Sequence, residues 1–277
     1  MKEAVDLHAH TNRSDGTLTP VELVRLAKEK GLAAVAVTDH DTTAGVEEAL
    51  AEGERIGIRV IPGIEMSTSL DGCDVHLIGL FVDIHNAALQ DRLHEVLEDR
   101  NERNKHSVRH LQEKGFLVSQ RDLDAYGADK ILTRGNIAEI LVKKGYAEDI
   151  KDAMGKYMCR GKVGYARRRV PDPSECIRLL HDAGARVFVA HLHQIDLKDP
   201  EHSMDICRRI LAMGADGLET EYCEFDEVWK IRAKEIAGEY DCLESGGSDF
   251  HGSLKKGLEL GTGYGDLFVP AAFLERM

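Results

Sequence analysis

The sequence predicts an α/β barrel of about seven strand-helix units, interrupted once by a mostly helical insertion. Short apolar runs alternate with amphipathic segments, the rhythm of parallel strands joined by right-handed helical crossovers. Histidines and carboxylates recur at the ends of those runs, where parallel barrels gather their chemistry. One long stretch, roughly 84–166, has helical patterning throughout and no apolar strand. Residues 1–83 and 167–277 are therefore expected to form the barrel, and 84–166 an insertion that caps its active face.

The elements follow in order. Ala4–His10 reads as the first strand and ends in the histidine pair of VDLHAH. Side chains two apart share a strand face, so His8 and His10 project together. Thr19-Pro20-Val21-Glu22 opens a helix: Thr19 can cap, Pro20 suits the first turn and Glu22 can close a capping box. Gly31 ends that helix. Ala33–Val37 is a buried strand running into TDHD, Thr43–Ile56 a helix, and Arg59–Ile64 a third strand ending at Glu65. Asp74–Phe81 is a fourth strand, containing His76.

Asn86 to about Gly115 then forms one long charged helix, and shorter helices follow near 121–126, 134–145 and 148–158. The run Glu95–Arg103 reads as a solvated, salt-bridged helix face. Alternation resumes at Asp172-Pro173, another helix start, leading into the strand Arg186–His191. A helix (203–212), a strand (217–221), a helix (225–240) and a last strand ending in SGGSDFHG complete the pattern.

A chain of 277 residues suits one large barrel. Its 43% apolar and 31% charged residues describe an ordinary globular protein. No apolar run approaches the roughly 18 residues that span a bilayer, and Met1–Val5 carries no charged-then-apolar leader, so a cytoplasmic location is expected. The six cysteines are scattered without a C-x-x-C pair, so neither a zinc-cysteine cluster nor a redox motif is suggested, and free, mostly buried thiols are expected. A net charge of −13 disfavours a broad surface for long nucleic acid. Small anions remain open, because local positive charge or bound cations can reverse the field at one site.

The decisive pattern is six histidines and three carboxylates placed against the predicted strands: His8, His10, Asp15, His40, Glu65, His76, His191, Asp249 and His251. A barrel would gather them on one rim, and imidazole with carboxylate is a metal-ligand chemistry. Without thiolate, the set suits Mn²⁺, Fe²⁺ or Zn²⁺ more than Mg²⁺ or Ca²⁺. His106 and His110 also stand four apart on a helix, but HSVRH lacks the glutamate of a zinc-protease motif and reads as solvated.

The motifs DLHAHTNRSDG, TDHD, PGIEMS, VHLIGL, VAH and SDFHG together resemble the PHP (polymerase and histidinol phosphatase) family of metal-dependent phosphoesterases, in order and over nearly the whole chain. That family's distorted (β/α)7 barrel agrees with the strand count. The helical insertion resembles the branch containing 3′,5′-nucleoside bisphosphate phosphatases and short-RNA exonucleases. The resemblance implies a centre of two or three divalent ions, manganese first and iron or zinc next. His8, His10, Glu65 and Asp249 would hold one ion, Glu65, His76 and His191 a second, and Asp15, His40 and His251 a third, with Glu65 bridging. Clustered cations neutralise phosphate oxygens and lower the pKa of bound water, so a metal-bound hydroxide near Glu65 would be the nucleophile.

The same branch carries a TR motif and a G-K element, which points to Arg134 and Lys162 for substrate phosphate, with Asn136 and Arg160 beside them in TRGN and RGK. Arginine grips phosphate bidentately and lysine acts as a point charge. Many relatives read AHP where this chain reads VAHLHQ: Leu192 replaces the proline and His193 is extra. His193 could donate a proton to the leaving oxygen or contact phosphate. Arg167-Arg168-Arg169 is a short basic cluster that could guide an anion. The implied activity is hydrolysis of a small phosphorylated metabolite, a 3′,5′-bisphosphate nucleotide or the 5′ end of a short oligoribonucleotide. The alternatives are a cyclic phosphodiesterase on a sugar phosphate, a histidinol phosphatase, and a non-catalytic nucleotide-binding module, which would be marked by lost ligand positions.

Overall fold

The structure, a computed structural model described over residues 3–127 and 130–277, is an α/β barrel built on an eight-stranded sheet. The first half alternates as the sequence implies: β1 (Ala4–Asp6), α1 (Pro20–Glu29), β2 (Ala34–Val37), α2 (Val46–Ile56) and β3 (Arg59–Leu70). The Thr19 side chain accepts from the Glu22 amide while Glu22 reaches back to Thr19, so the predicted capping box starts α1. β4 (Cys73–Leu80) follows, then the insertion helices α3 (Ala87–Glu113), α4 (Gln120–Asp124), α5 (Arg134–Lys143) and α6 (Ile150–Ala153), the last continuing as one π-helical turn through Met158. The second half runs α7 (Pro173–Asp182), β5 (Arg186–Val189), α8 (Pro200–Ala212), β6 (Gly217–Tyr222), α9 (Glu227–Glu239), β7 (Leu243–Gly247) and β8 (Val269–Pro270).

The strand order is β7-β6-β5-β4-β3-β2-β1-β8. Leu7 N–H donates to Gly246 O at 3.1 Å and Asp249 N–H to His8 O at 2.9 Å, so the two ends of the sheet meet and the barrel nearly closes. β1, β2 and β3 are mutually parallel, as are β5, β6 and β7. Two features depart from a purely parallel repeat. β3 does not stop near Glu65: it runs on to Leu70, turns at Asp71-Gly72, both with positive φ, and returns as β4 in an antiparallel hairpin. Asp-Gly is a favoured two-residue hairpin turn, and the polar run MSTSL before it hides the strand from an apolar-periodicity reading. β8 pairs antiparallel with β1 and covers that edge.

The main core is packed by Val5, Leu7, Ile64, Met66, Leu77 and Phe188 among others, and α1 and α2 close a smaller cluster around Leu23, Val24 and Val37. The insertion has an apolar cluster of its own, including Val108, Leu111, Leu123, Ile137, Leu141 and Met158, whereas Leu89 and Leu93 at the start of α3 belong to the barrel core. Thus α3 is rooted in the barrel and carries the insertion outward. Among the described residues no helix is long and apolar enough to cross a membrane. All six cysteines are free, with Cys176, Cys207 and Cys223 buried and Cys159 exposed.

Candidate metal centre

Each donor reaches the rim through a local backbone device. Beyond β1 the chain stays extended between β2 and β7: Thr38 N–H donates to Ala9 O at 2.9 Å and His10 N–H to Phe250 O at 2.9 Å. His8 and His10 therefore point to one side and are fully buried. A Cβ on Gly247 would lie 2.5 Å from the His8 backbone nitrogen, so only glycine lets the last strand pass this close. Asp41, His191 and Asp249 adopt positive φ in the segments that follow β2, β5 and β7, a conformation that costs L residues energy and concentrates at functional sites. His76 arrives differently. It lies mid-strand in β4 opposite Ser67, and the antiparallel return puts it on the face shared by Glu65 and Ser67.

These devices bring the other eight sequence-predicted donors around Glu65, which is completely buried. Its Oε2 lies 3.4 Å from His8 Nε2, 3.2 Å from His10 Nε2 and 2.9 Å from His40 Nδ1. Its Oε1 lies 2.8 Å from both His76 Nδ1 and His191 Nε2. Asp249 Oδ1 stands 3.4 Å from His8 Nε2 and 3.1 Å from His10 Nε2. Asp15 sits on the far side, 3.3 Å from His251 Nε2 and 3.8 Å from His40 Nε2. Among the nine predicted donors, three groups have one donor atom each within 4.8 Å of all the others: His8, His10 and Asp249; His40, Glu65 and His76; and His10, Asp15, His40 and His251.

The donor atoms fit divalent cations better than they fit each other. His8 Nε2 and His10 Nε2 face one another at 3.1 Å, and ligands at typical zinc distances in a tetrahedral shell would stand about 3.3 Å apart. Glu65 Oε2 and His40 Nδ1 are 2.9 Å apart, yet both are buried without a well-formed hydrogen bond, and Asp15 Oδ1 is likewise unpartnered. Such orphaned donors are costly unless a shared ion satisfies them. Burial would raise the Glu65 carboxyl, but His40, His76 and His8 hold it well below the carboxylate range. Burial works against protonated His10, yet hydrogen bonding to Asp249 and Glu65 lifts it to about 9. Burial lowers His76 and His251, keeping them neutral for ligation.

A supporting layer was not predicted from the sequence. Glu219 on β6 accepts from His8 Nδ1 at 2.9 Å and from His191 N–H at 2.6 Å. Asp39 accepts from Thr11 N–H, Thr11 Oγ1 and Ser14 Oγ at 2.6–2.8 Å, tying down the loop that carries Asp15. Asp6 accepts from His8 N–H, Ser248 and Gly261, and Asp249 Oδ2 accepts from Tyr222 OH at 2.8 Å and pairs with Lys255. The signal that existed was polarity out of place: Glu219 sits in a strand between buried Leu218 and Thr220.

The predicted substrate residues are dispersed. Arg134 opens α5, pairs with Asp74 at 3.1 Å and lies over the Tyr165 ring. A Cβ on the next residue, Gly135, would be 4.0 Å from Asp15 Oδ2, so the start of α5 overhangs the centre. Asn136 is buried and accepts from Thr133 N–H at 2.7 Å, acting as the far half of a capping box. Arg160 Nη1 reaches only to Gly72 O at 3.4 Å, at the tip of the β3–β4 hairpin, and Lys162 is exposed. His193 Nε2 contacts Glu224 at 3.1 Å within a nest of Tyr222, Phe225 and Trp229 rings.

One expectation is corrected. The run Glu95–Arg103 is not a wholly solvated face, because Arg100 and Arg103 are only 4% and 5% exposed. Arg100 binds Asp41 and Ser67, turning the inner side of α3 onto the barrel. Arg92–Glu95 and Lys105–Glu102 remain as pairs along the helix surface. His106 is exposed as expected, while His110 Nδ1 lies 3.2 Å from Tyr165 O.

A nearly closed barrel with clustered imidazoles and carboxylates at its rim defines a metal-dependent hydrolase. The PHP domain model matches residues 6–189, and this chain belongs to the PHP family of metal-dependent phosphoesterases. It is 33% identical over 255 residues to the 5′-3′ exoribonuclease Rnm of Escherichia coli, covering 89% of this chain and 84% of that one. It is 30% identical over 267 residues to the 3′,5′-nucleoside bisphosphate phosphatase of Chromobacterium violaceum, covering 93% and 90%. A solved structure from Bifidobacterium adolescentis superposes with a TM-score of 0.88 at 30% identity, covering 99% of this chain and 95% of that one. The protein is accordingly an enzyme that hydrolyses phosphoester bonds.

Proposed function

We propose that this enzyme hydrolyses a phosphoester of a small phosphorylated metabolite, a 3′,5′-bisphosphate nucleotide or the 5′ end of a short oligoribonucleotide. The observation that carries the reading is Glu65, whose two oxygens face five imidazoles, three on Oε2 and two on Oε1. That arrangement supports the division of ligands already given: His8, His10, Glu65 and Asp249; Glu65, His76 and His191; Asp15, His40 and His251. Two or three divalent ions, manganese first and iron or zinc next, when bound supply charge neutralisation and activation of water. The two relatives cited, named for a bisphosphate nucleotide and for RNA, support the substrate class.

The chain's own groups would do the rest. Glu65 holds the ligand rings in one cluster. Arg134, at the positive end of a ten-residue helix that overhangs Asp15, meets anionic substrate at the rim, with Lys162 and Arg160 adding charge further out. Glu224 holds His193 Nε2 at 3.1 Å, and His193 would serve as the proton donor to the leaving oxygen.

The test is phosphate release by manganese-loaded protein from nucleotide bisphosphates, short oligoribonucleotides, cyclic phosphodiesters and sugar phosphates. Turnover of the first two groups, lost in Glu65→Gln, is expected. No release from any of them at confirmed metal occupancy would overturn the reading.

A further inference from the structure

Among the described residues one further group of donors stands together outside the metal centre: Cys73, Asp196 and His202, each with one ligand atom within 4.8 Å of the other two. Cys73 is the first residue of β4, directly after the Asp71-Gly72 turn. It stands three positions before His76, and successive side chains of a strand alternate, so its thiol leaves the sheet on the face opposite to that imidazole. Asp196 lies in the segment between β5 and α8, and His202 in the first turn of α8. All three are half-buried, open enough for an ion to enter from solvent.

The carboxylate is oriented before any ion arrives. Asp196 Oδ1 accepts from the Lys198 and Asp199 amides at 3.0 and 3.3 Å, which leaves Oδ2 to face His202 Nδ1 at 3.0 Å. Ser203 Oγ accepts from the Asp196 amide at 2.9 Å and ties the same loop to α8. Two ligands in a tetrahedral zinc shell stand about 3.3 Å apart, so a shared cation asks little movement of this pair. The hairpin tip is already drawn to α8 by Arg209 Nη1, which donates to Asp71 Oδ2 at 2.6 Å. Around the thiol, burial together with Asp196, Asp71 and Asp74 pushes Cys73 up, against the opposing effect of Arg160. A cation entering there meets mostly carboxylate charge, and the thiol proton leaves to solvent as the metal–sulfur bond forms.

The donor set selects the ion. Thiolate with imidazole and one carboxylate suits zinc, whereas the nine donors of the centre include no thiolate. Three protein ligands leave the fourth tetrahedral position to water. We propose that Cys73, Asp196 and His202 form a separate zinc site that staples the tip of the β3–β4 hairpin to the N-terminal end of α8. The staple joins two segments that serve the centre: β4, which carries His76, and the segment after β5, which carries His191 and His193. Zinc bound there braces both from outside the reaction, and the site stands independently of the phosphoesterase reading.

Cobalt(II) titrated into reduced, manganese-loaded full-length protein tests the ligands, because a cobalt–thiolate bond absorbs by charge transfer in the near ultraviolet and cobalt on imidazole and carboxylate does not. One equivalent is expected to give that band in the wild type and in Cys159→Ser, which removes the exposed thiol. Cys73→Ser should abolish it, and so should His202→Ala on the surface of α8, which carries the test if Cys73→Ser does not fold. Zinc should raise the melting temperature of the wild type by about 5 °C more than that of His202→Ala. No band in the wild type, a band that survives in Cys73→Ser or His202→Ala, or one that is lost in Cys159→Ser would overturn the site. Equal melting shifts in wild type and His202→Ala would overturn the staple.

Discussion

Glu219 Oε1 accepts a hydrogen bond from His8 Nδ1 at 2.9 Å, across 211 residues of chain, with both side chains fully buried. The bond fixes the His8 tautomer and turns Nε2 toward Glu65 and Asp249. Such carboxylate–imidazole pairs behind a metal ligand typically account for 10- to 100-fold in metal affinity. The other oxygen of Glu219 accepts from the His191 amide at 2.6 Å, so both must accept. Glutamine offers one acceptor and one donor, so Glu219→Gln either breaks one bond or turns His8 to the tautomer that carries its proton on Nε2, where it cannot ligate. We expect metal affinity to fall about 10- to 100-fold, measured by calorimetric titration of manganese into the metal-free protein, with the fold retained by circular dichroism.

The pair Asp41–Arg100 predicts an acid-limb effect. Burial would raise the Asp41 carboxyl, but Arg100 and Arg168 hold it well below the carboxylate range. A carboxyl depressed in the folded state contributes stability that is complete above its unfolded value of about 3.9 and is lost as pH falls through the folded value. Asp41→Asn removes that contribution and strands a buried guanidinium, at a cost of about 3–5 kcal/mol. Urea unfolding near neutrality should show the loss, and below about pH 4 the gap between variant and wild type should narrow.

Metal uptake should depend on pH in a definite direction. In metal-free protein the His10 pKa is raised to about 9 and His8 is also raised, by Glu219, Asp249 and Glu65 against the opposing effect of burial. Ligation requires neutral imidazole, so protons must leave as metal enters. Apparent manganese affinity is expected to rise with pH from neutrality to about 9. Titrations in buffers of different ionisation enthalpy should show net proton release.

Asn136 separates a structural role from a substrate role. Its carbonyl oxygen accepts from Thr133 N–H, and losing a capping interaction costs about 1 kcal/mol. Asn136→Ala should lower stability by about that amount while leaving KM little changed, whereas Arg134→Ala should raise KM with the fold intact. Thermal melts and steady-state kinetics on one preparation of each variant check both.

Much of this was legible in the sequence because it is written locally. Strand ends carry HAH, TDHD and SDFHG, and helix starts carry TPVE and DPSE, so period and capping chemistry place donors on a rim without any long-range information. What was hidden depends on partners distant in the chain. The β3–β4 hairpin needed Asp71-Gly72 to be weighed as a turn against a polar run, and β8 is a two-residue edge strand visible only through its pairing with β1.

The sequence by itself determined the donor types, their order and the barrel that could collect them, because residue chemistry and periodicity are properties of short windows. Only the tertiary structure decided which atoms share Glu65, that Glu219 stands behind His8, and that Arg100 and Arg103 face inward. Helical periodicity offers several faces to a charged helix. The face of α3 that is buried carries Leu89, Leu93, Val108 and Leu111 along with Arg100, and Arg100 finds its carboxylate in Asp41, 59 residues away.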